Sequence, residues 1–308
     1  MTIDFLVGNT GFVGSNLAHQ HHFSGLFCSR NISHAFGQRP DILIYAGVPS
    51  EMFTANKYPD RDREIISIAQ ENISRIAPQQ LVLVSTVAVY HDTSGVDEDT
   101  QIDDSALLPY GANRFALERW AENNISDCLI IRLPALFGEN LRKNFIYDII
   151  HIIPSLLTPA KFEELAGHAP ELREYYSLSN NGFMKCRQLT NTESETLKHI
   201  FLSLGFTALN FTDSRSVYQF YSLANLWRDI EIALSHNLRL LNLVTPPISA
   251  EKLYSVLTGH EFINELGRQP FKYDVRTKHY ALFGGKDGYI MSLEQELADI
   301  KKFVKECK

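Results

Sequence analysis

Residues 3–14 read Ile3-Asp4-Phe5-Leu6-Val7-Gly8-Asn9-Thr10-Gly11-Phe12-Val13-Gly14. The first five residues form a mostly apolar run that predicts a buried strand, and the apolar positions after Gly11 fit a helix. Glycines let the backbone of such a turn approach an anion, and the free N–H groups at the helix N-terminus can bind it. The G-x-x-G-x-x-G spacing directly after a strand therefore predicts a turn that holds the pyrophosphate of a dinucleotide.

Further strand and helix patterns alternate along the chain. Strands are predicted at residues 25–29, 41–47, 81–86, 128–133 and 238–244, and helices at residues 62–77 and 110–123. Strands that alternate with helices form a parallel sheet with helices on both faces. We therefore predict an α/β fold with a Rossmann-type doubly wound parallel sheet.

The stretch between the last two predicted strands is longer than a simple crossover needs. It contains helical patterns near residues 143–153, 161–166, 193–204 and 222–235. We predict that residues 1–138 form a dinucleotide-binding domain, to which residues of about 210–245 return. Residues 139–209 and 246–308 are predicted to form a smaller, mostly helical C-terminal substrate domain.

Composition argues against several classes of protein. The formal net charge of the 308 residues is -7, which gives no general attraction to nucleic acid or to an anionic membrane. The longest apolar stretch, residues 145–157, is interrupted by polar residues and is shorter than the ~20 residues that a membrane span requires. No secretion signal precedes the first strand, and the four cysteines lack C-x-x-C spacing. We expect a cytoplasmic protein that binds neither nucleic acid nor a membrane.

Three histidines lie near the end of the first predicted helix, at His19, His21 and His22. A metal site would need further ligands, and no acidic residue stands nearby in the sequence. We predict no metal site, and we interpret these histidines as a solvated helix end.

Three further motifs accompany the glycine turn. Residues 85–90 read Ser-Thr-Val-Ala-Val-Tyr, residues 109–114 read Pro-Tyr-Gly-Ala-Asn-Arg, and residues 131–138 read Ile-Arg-Leu-Pro-Ala-Leu-Phe-Gly. Together they resemble the motifs of the extended short-chain dehydrogenase/reductases, a family of nucleotide-sugar epimerases, dehydratases and reductases. In that family the second motif is P-Y-x-x-x-K, so this chain has arginine where the family has lysine.

The resemblance implies a catalytic set of Tyr110, Thr86 and Arg114. Tyr110 would exchange a proton with a substrate hydroxyl, Thr86 would bind the same oxygen, and Arg114 would stabilise the phenolate. Arginine supplies the positive charge of the family's lysine but cannot join a proton relay. The resemblance also implies a nucleotide-sugar substrate, and a homodimer joined by the helix carrying Tyr110 and the helix near residues 62–77.

The second strand indicates which dinucleotide is bound. A cofactor without a 2′-phosphate is normally held by an acidic residue about 20 residues beyond the glycine turn. The chain has no Asp or Glu from Ser15 to Pro40, and its second strand ends in Ser29 and Arg30, which suit a 2′-phosphate. We predict NADP, with NAD as the alternative. The expected cofactor-binding residues are Gly8, Asn9, Thr10, Gly11, Phe12, Val13, Gly14, Ser29, Arg30, Ala46, Gly47, Ser85 and Pro134.

Comparison with the family narrows the reaction and leaves alternatives open. The family's 4,6-dehydratases have Asp-Glu where this chain has Val87-Ala88, and its 3,5-epimerase/reductases have a catalytic cysteine at the position of Val87. An epimerase and a 4-keto reductase stay open, and so does a non-catalytic NAD(P)-binding sensor or scaffold, because of Arg114. Only about ten residues separate the second strand from Asp41, so the family's third strand is expected to be shortened or absent.

Overall fold

The computed structural model describes residues 2–179 and 181–307, which fall into two compact units. The first unit comprises the residues up to Leu141, Tyr218–Pro247 and Lys272–Phe303. The second comprises Arg142–Val217, Ile248–Phe271 and the residues from Val304. In the described part of the chain, no helix is long and apolar enough to span a membrane.

The elements follow one another in this order. The strands are β1 (Asp4–Val7), β2 (Gly25–Phe27), β3 (Ile42–Tyr45), β4 (Gln80–Thr86), β5 (Cys128–Leu133), β6 (Ala135–Phe137), β7 (Leu156–Leu157), β8 (Tyr176–Leu178), β9 (Met184–Cys186), β10 (Val217–Tyr218), β11 (Phe220–Ser222), β12 (Leu240–Asn242) and β13 (Ile248–Ser249). The α-helices are α1 (Phe12–Gln20), α2 (Met52–Lys57), α3 (Pro59–Ile76), α4 (Pro109–Asn124), α5 (Phe145–His151), α6 (Pro159–His168), α7 (Asn191–Ser203), α8 (Leu226–Ser235), α9 (Ala250–Thr258) and α10 (Leu293–Glu306).

Six parallel strands of the first unit form one sheet in the order β12-β5-β4-β3-β1-β2. This is the predicted α/β fold, which is confirmed. The strand order reverses between β1 and β3, and ligands of such sheets bind outside the carboxyl ends of the strands at that switch point. The segment after β2 forms a 3-10 helix, Ile32–Ala35, and β3 pairs with β1 instead of extending the sheet beyond β2. In the described residues the family's third strand is therefore absent, as the short spacing before Asp41 predicted.

Helices cover both faces of this sheet. Successive side chains of a strand point to opposite faces, so Val7 packs in the same cluster as Leu117 of α4, whereas Leu6 packs in the same cluster as Leu17 of α1. Both clusters are buried. Burial on two sides explains why these strands appear in the sequence as continuous apolar runs rather than as an alternating pattern.

The second unit combines helices with a small antiparallel sheet. Strands β7, β9 and β8 pair in that order, and Leu157, Phe162 and Phe201 lie in the buried core of this unit. The prediction of a mostly helical substrate domain missed this sheet. Strands of two or three residues are too short to show the alternation that predicts a strand.

Residues Lys272–Phe303 lie in the first unit, although the sequence analysis placed all of residues 246–308 in the substrate domain. The Gln219 side chain fixes this segment: its amide nitrogen donates to the carbonyl of Val275 (2.8 Å), and the N–H of Val275 donates back to its amide oxygen (2.9 Å). Such long-range bonds have no local signal in the sequence. Substrate binding by residues 139–209 and 246–308 stays a prediction.

The interpretation of the first helix end as solvated is wrong for His21. Its Nε2 lies 2.5 Å from Oδ2 of Asp4, and its ring stacks on Trp227 with 3.8 Å between ring centroids. Asp4 begins β1, so it is distant in sequence but adjacent in space. His21 is a packing residue.

Candidate active site

The glycine turn lies at the switch point of the sheet. Gly8 follows β1 with a φ of +95°, and a Cβ there would collide with the carbonyl of Ala46 after β3. Its N–H donates to the carbonyl of Phe27 at the end of β2 (2.8 Å). The turn is thus fitted between the ends of three neighbouring strands, and only glycine suits this position. Helix α1 begins directly behind it at Phe12, so the helix N-terminus borders the turn.

Residues of the turn fit an anionic dinucleotide. Thr10 and Gly11 are exposed, while Gly14 is buried at the start of α1. The side-chain oxygen of Asn9 is buried and has no hydrogen-bond partner among the described residues. Buried polar atoms are almost always paired, so this oxygen is suited to accept a hydrogen bond from a ligand.

A cation lies at the end of β2. Ser29 and Arg30 are both exposed directly beyond this strand. The backbone N–H of Arg30, and to a smaller degree its guanidinium, lower the pKa of the neighbouring Cys28 thiol. The strand ends at Phe27 rather than at Ser29 and Arg30 as predicted, so the positive charge predicted for a 2′-phosphate lies in the loop after β2, a segment with no acidic residue.

The other predicted cofactor residues lie at the same edge of the sheet. Ala46 and Gly47 follow β3, Ser85 is the last but one residue of β4, and Pro134 follows β5. The carboxyl ends of parallel strands meet at one edge, so the structure brings these residues together with the glycine turn.

Tyr110 and Thr86 are brought together by a close approach of two elements. A Cβ on Gly111 would collide with the carbonyl of Ala88, so glycine lets α4 pack against the 3-10 turn Val87–Val89 that follows β4. The Thr86 hydroxyl accepts a hydrogen bond from the N–H of Ala88 (3.1 Å) and hydrogen-bonds the buried phenol of Tyr110. This is the pairing that the motifs predicted.

Arg114 lies beside Tyr110 and also pairs with a carboxylate that the sequence did not indicate. Its guanidinium forms an ion pair with Asp62 of α3, and both side chains are buried, with exposed fractions of 5% and 6%. The amide of Asn113 donates to the same Asp62 carboxylate (2.8 Å), and a second Arg114 nitrogen donates to the carbonyl of Pro49 (2.6 Å). The guanidinium carbon lies 4.2 Å from the centre of the Tyr110 ring. Arg114 thus lies over the phenol with its charge already paired.

The pKa of Tyr110 is raised above its usual value of about 10. Burial has the largest effect and raises the pKa, the charge of Arg114 and the hydrogen bond from Thr86 lower it, and the charge of Asp62 raises it. Arg114 thus lowers this pKa in the expected direction, although the net shift is upward. The physical reason is that desolvation and a paired carboxylate outweigh the guanidinium.

Ser85 points into the first unit's core. Its hydroxyl donates to the carboxylate of Glu118 on α4. Two nitrogens of Arg132 on β5 donate to the same carboxylate (2.6 and 3.1 Å). Arg132 also donates to the phenol oxygen of Tyr90 (2.7 Å), which the amide of Asn242 contacts (3.0 Å). The bond from Ser85 to Glu118 joins the end of β4 to α4, and cofactor binding by Ser85 stays a prediction.

Sequence reasoning missed several residues of this site. Asp62 pairs with Arg114, and Asn56 accepts the backbone N–H of Tyr110 through its side chain (2.8 Å). Tyr273 lies near Tyr110. Burial has the largest effect on the pKa of Tyr273 and raises it, and the charges of ionised Tyr218 and Tyr110 raise it further. Nothing local in the sequence indicated that Asp62 would pair with Arg114.

Comparison with known proteins gives matches among solved structures alone, since no family model and no curated protein matches this chain. A dTDP-4-dehydrorhamnose reductase from Yersinia enterocolitica is 14% identical, with a TM-score of 0.66 and 99% of each chain covered. A dTDP-4-dehydrorhamnose reductase from Bacillus anthracis in complex with NADP is 17% identical, with a TM-score of 0.65 and 99% of each chain covered. A UDP-glucose 4-epimerase from Thermotoga maritima with UDP-glucose is 12% identical, with a TM-score of 0.64 and 98% of each chain covered.

These likenesses extend over almost the whole chain and define its class of architecture. The chain has the fold of the extended short-chain dehydrogenase/reductases, as its motifs predicted. Identities of 12–17% show the fold, and the chemistry has to be argued from the site itself.

Proposed function

We propose that this chain is an NADP-dependent reductase or epimerase of nucleotide-linked sugars, with Tyr110 as the proton-transfer group. The observation that carries the proposal is the contact between Thr86 and Tyr110 at the sheet edge that also holds the glycine turn. A hydroxyl and a phenol beside a dinucleotide turn are the groups needed to bind and protonate an oxygen while hydride is transferred.

Several features support the cofactor. The residues that would hold it are the turn Gly8–Gly14, Ala46 and Gly47, with Ser29 and Arg30 at the 2′-phosphate. A bound NADPH would supply the hydride. The NADP in the Bacillus anthracis reductase of the same fold supports this assignment.

The chain's own residues would then have separate tasks. Thr86 would orient the reacting oxygen of the substrate by hydrogen bonding. Tyr110 would move the proton, because its phenol is within hydrogen-bond reach of the Thr86 hydroxyl. Arg114 would hold the Tyr110 ring through the stacked guanidinium.

The test is the nicotinamide absorbance after mixing the protein and cofactor with a panel of nucleotide-linked sugars and 4-keto sugars. Hydride transfer to a keto sugar, or epimerisation with enzyme-bound hydride, supports the proposal. Tight cofactor binding without any change in redox state across the panel contradicts it and favours the sensor or scaffold.

Arg30→Ala is expected to weaken NADP binding about 10–100-fold while NAD binding barely changes. Charge-assisted hydrogen bonds to a phosphate contribute about 1.5–3 kcal/mol, which corresponds to this range. Calorimetric titration of both cofactors measures it. Arg61→Ala, at an exposed arginine of α3, is the control. Equal weakening of NADP and NAD by Arg30→Ala would refute the 2′-phosphate assignment.

We also propose a homodimer joined through α3 and α4. The family resemblance supports this proposal, and Ile68 of α3 is 56% exposed, so it is available for contact with a second copy. The expected solution mass at micromolar concentration is that of a dimer, and Ile68→Glu should lower it to that of a monomer. A monomeric mass for the unmodified chain contradicts the proposal.

A further inference from the structure

The pair formed by Arg114 and Asp62 distinguishes this site from one with a free cation. Both side chains are buried, on α4 and α3 respectively. Asn113 donates to the same carboxylate, and Pro49 accepts from the guanidinium, so the pair is held from both sides. The negative charge of Asp62 therefore offsets part of the positive charge that Arg114 presents to a group beside the pair.

Tyr110 is the group beside them. The charged side chains that act most strongly on its phenol are Arg114, from its own helix, and Asp62, from α3. Thr86 of β4 contributes a hydroxyl, and Tyr273 of the Lys272–Phe303 segment contributes a second neutral phenol. Burial in these surroundings disfavours the phenolate, and the pKa of Tyr110 accordingly lies above its usual range.

We propose that Asp62 is a positioning residue that offsets part of the charge of Arg114, so that Tyr110 serves as a proton donor and the site works in the direction of carbonyl reduction. This inference rests on the proposed function and chooses between its two reactions. A free arginine would support the phenolate, which is the form that removes a proton from a substrate hydroxyl. A paired arginine supports the phenol.

The reduction balances with the groups named. A carbonyl carbon receives the hydride and its two electrons, the C=O π bond breaks, and the cofactor is oxidised from NADPH to NADP⁺. The oxygen becomes an alkoxide, and the Tyr110 O–H bond breaks as its proton passes to that oxygen, giving the alcohol. Water returns the proton to Tyr110. Epimerisation of a hydroxyl sugar has to begin with the reverse transfer, for which a protonated phenol is the wrong form.

Titration of Tyr110 in the protein without substrate or cofactor tests the charge pair. Tyrosine labelled with ¹³C at Cζ reports ionisation by NMR, and the resonance missing from Tyr110→Phe assigns the signal. In the unmodified chain this resonance should not titrate below pH about 10, the usual value for tyrosine. Asp62→Asn leaves Arg114 without a carboxylate partner. The midpoint of the Tyr110 titration should then fall by about one to three pH units, as it does beside an uncompensated cation.

A second variant covers the case in which Asp62→Asn does not fold. Asp62→Asn/Arg114→Gln removes both charges of the pair, so its Tyr110 should titrate at a pH no lower than in the unmodified chain. Titration near neutral pH in the unmodified chain or in the double variant, or no shift in a folded Asp62→Asn variant, overturns the inference.

Rates in the two directions separate this inference from the proposed function. The unmodified chain should reduce nucleotide-linked keto sugars at least about 100-fold faster than it epimerises the corresponding hydroxyl sugars. In Asp62→Asn the ratio of the reduction rate to the epimerisation rate should be smaller. Epimerisation as fast as reduction would overturn the inference and leave the proposed function standing. Absence of turnover in both directions, with bound cofactor, would overturn the proposed function.

Discussion

Tyr110→Phe is expected to slow hydride transfer by about 100–10,000-fold, the range that follows loss of a general acid or base. The phenol is the group that the structure places against Thr86, and phenylalanine keeps its ring under the Arg114 guanidinium. Cofactor affinity should therefore change little, because the change removes one oxygen and no packing. Single-turnover nicotinamide absorbance measures the chemical step, and calorimetry measures binding.

Tyr280→Phe is the matched control, because it removes a phenol oxygen from the 3-10 helix Tyr280–Phe283 of the same unit. It should leave the rate unchanged. Full single-turnover rate in Tyr110→Phe would show that another residue transfers the proton.

Arg132→Met is expected to lower the free energy of unfolding by about 3–5 kcal/mol, the cost of breaking a buried ion pair from one side. The side chains of Arg132 and Glu118 are 5% and 1% exposed, so the variant leaves a buried carboxylate with Ser85 as its remaining partner. Burial already raises the pKa of Glu118 despite Arg132. Because folding raises the pKa of Glu118, ionisation of this carboxyl lowers the free energy of unfolding as the pH rises. The loss of unfolding free energy caused by Arg132→Met should therefore become smaller as the pH falls toward the ordinary pKa of glutamate.

Urea unfolding at several pH values measures this effect. Arg239→Met is the control, because Arg239 pairs with Asp127 at the surface (2.9 Å) and exposed pairs contribute at most about 1 kcal/mol. Glu118→Gln/Arg132→Met should lose less than Arg132→Met, since no buried charge is left. If Arg132→Met and Arg239→Met lower the free energy of unfolding equally, the buried pair of Arg132 and Glu118 contributes no more stability than a surface pair, which contradicts the prediction.

Much of the fold could be predicted because its determinants are local. Residues 5–7 and residues 81–83 are buried on both faces of the sheet, so each of these runs is apolar. The glycine turn needs a positive φ at Gly8, which a sequence records directly as glycine. Thr86 and Tyr110 were predicted together because both stand in motifs with fixed positions at element ends.

The rest depended on contacts between residues distant in sequence. Nothing local links Arg114 to Asp62, which is 52 positions away, or directs the Ser85 hydroxyl toward Glu118. Whether a cation activates a phenol depends on what else pairs with the cation, and that is set by the packing of α3 against α4. The strands of the second unit were missed for a different reason, because they are two or three residues long.

Hydrogen–deuterium exchange with and without NADPH tests whether the glycine turn binds the cofactor, since it reports where the cofactor binds without requiring a substrate. We expect slower exchange at the turn Gly8–Gly14 and at the segment after β3 that begins with Ala46 when NADPH is added. We also expect unchanged exchange in the antiparallel sheet β7-β9-β8. No binding of NADPH, or binding that leaves the exchange of Gly8–Gly14 unchanged, would contradict this prediction.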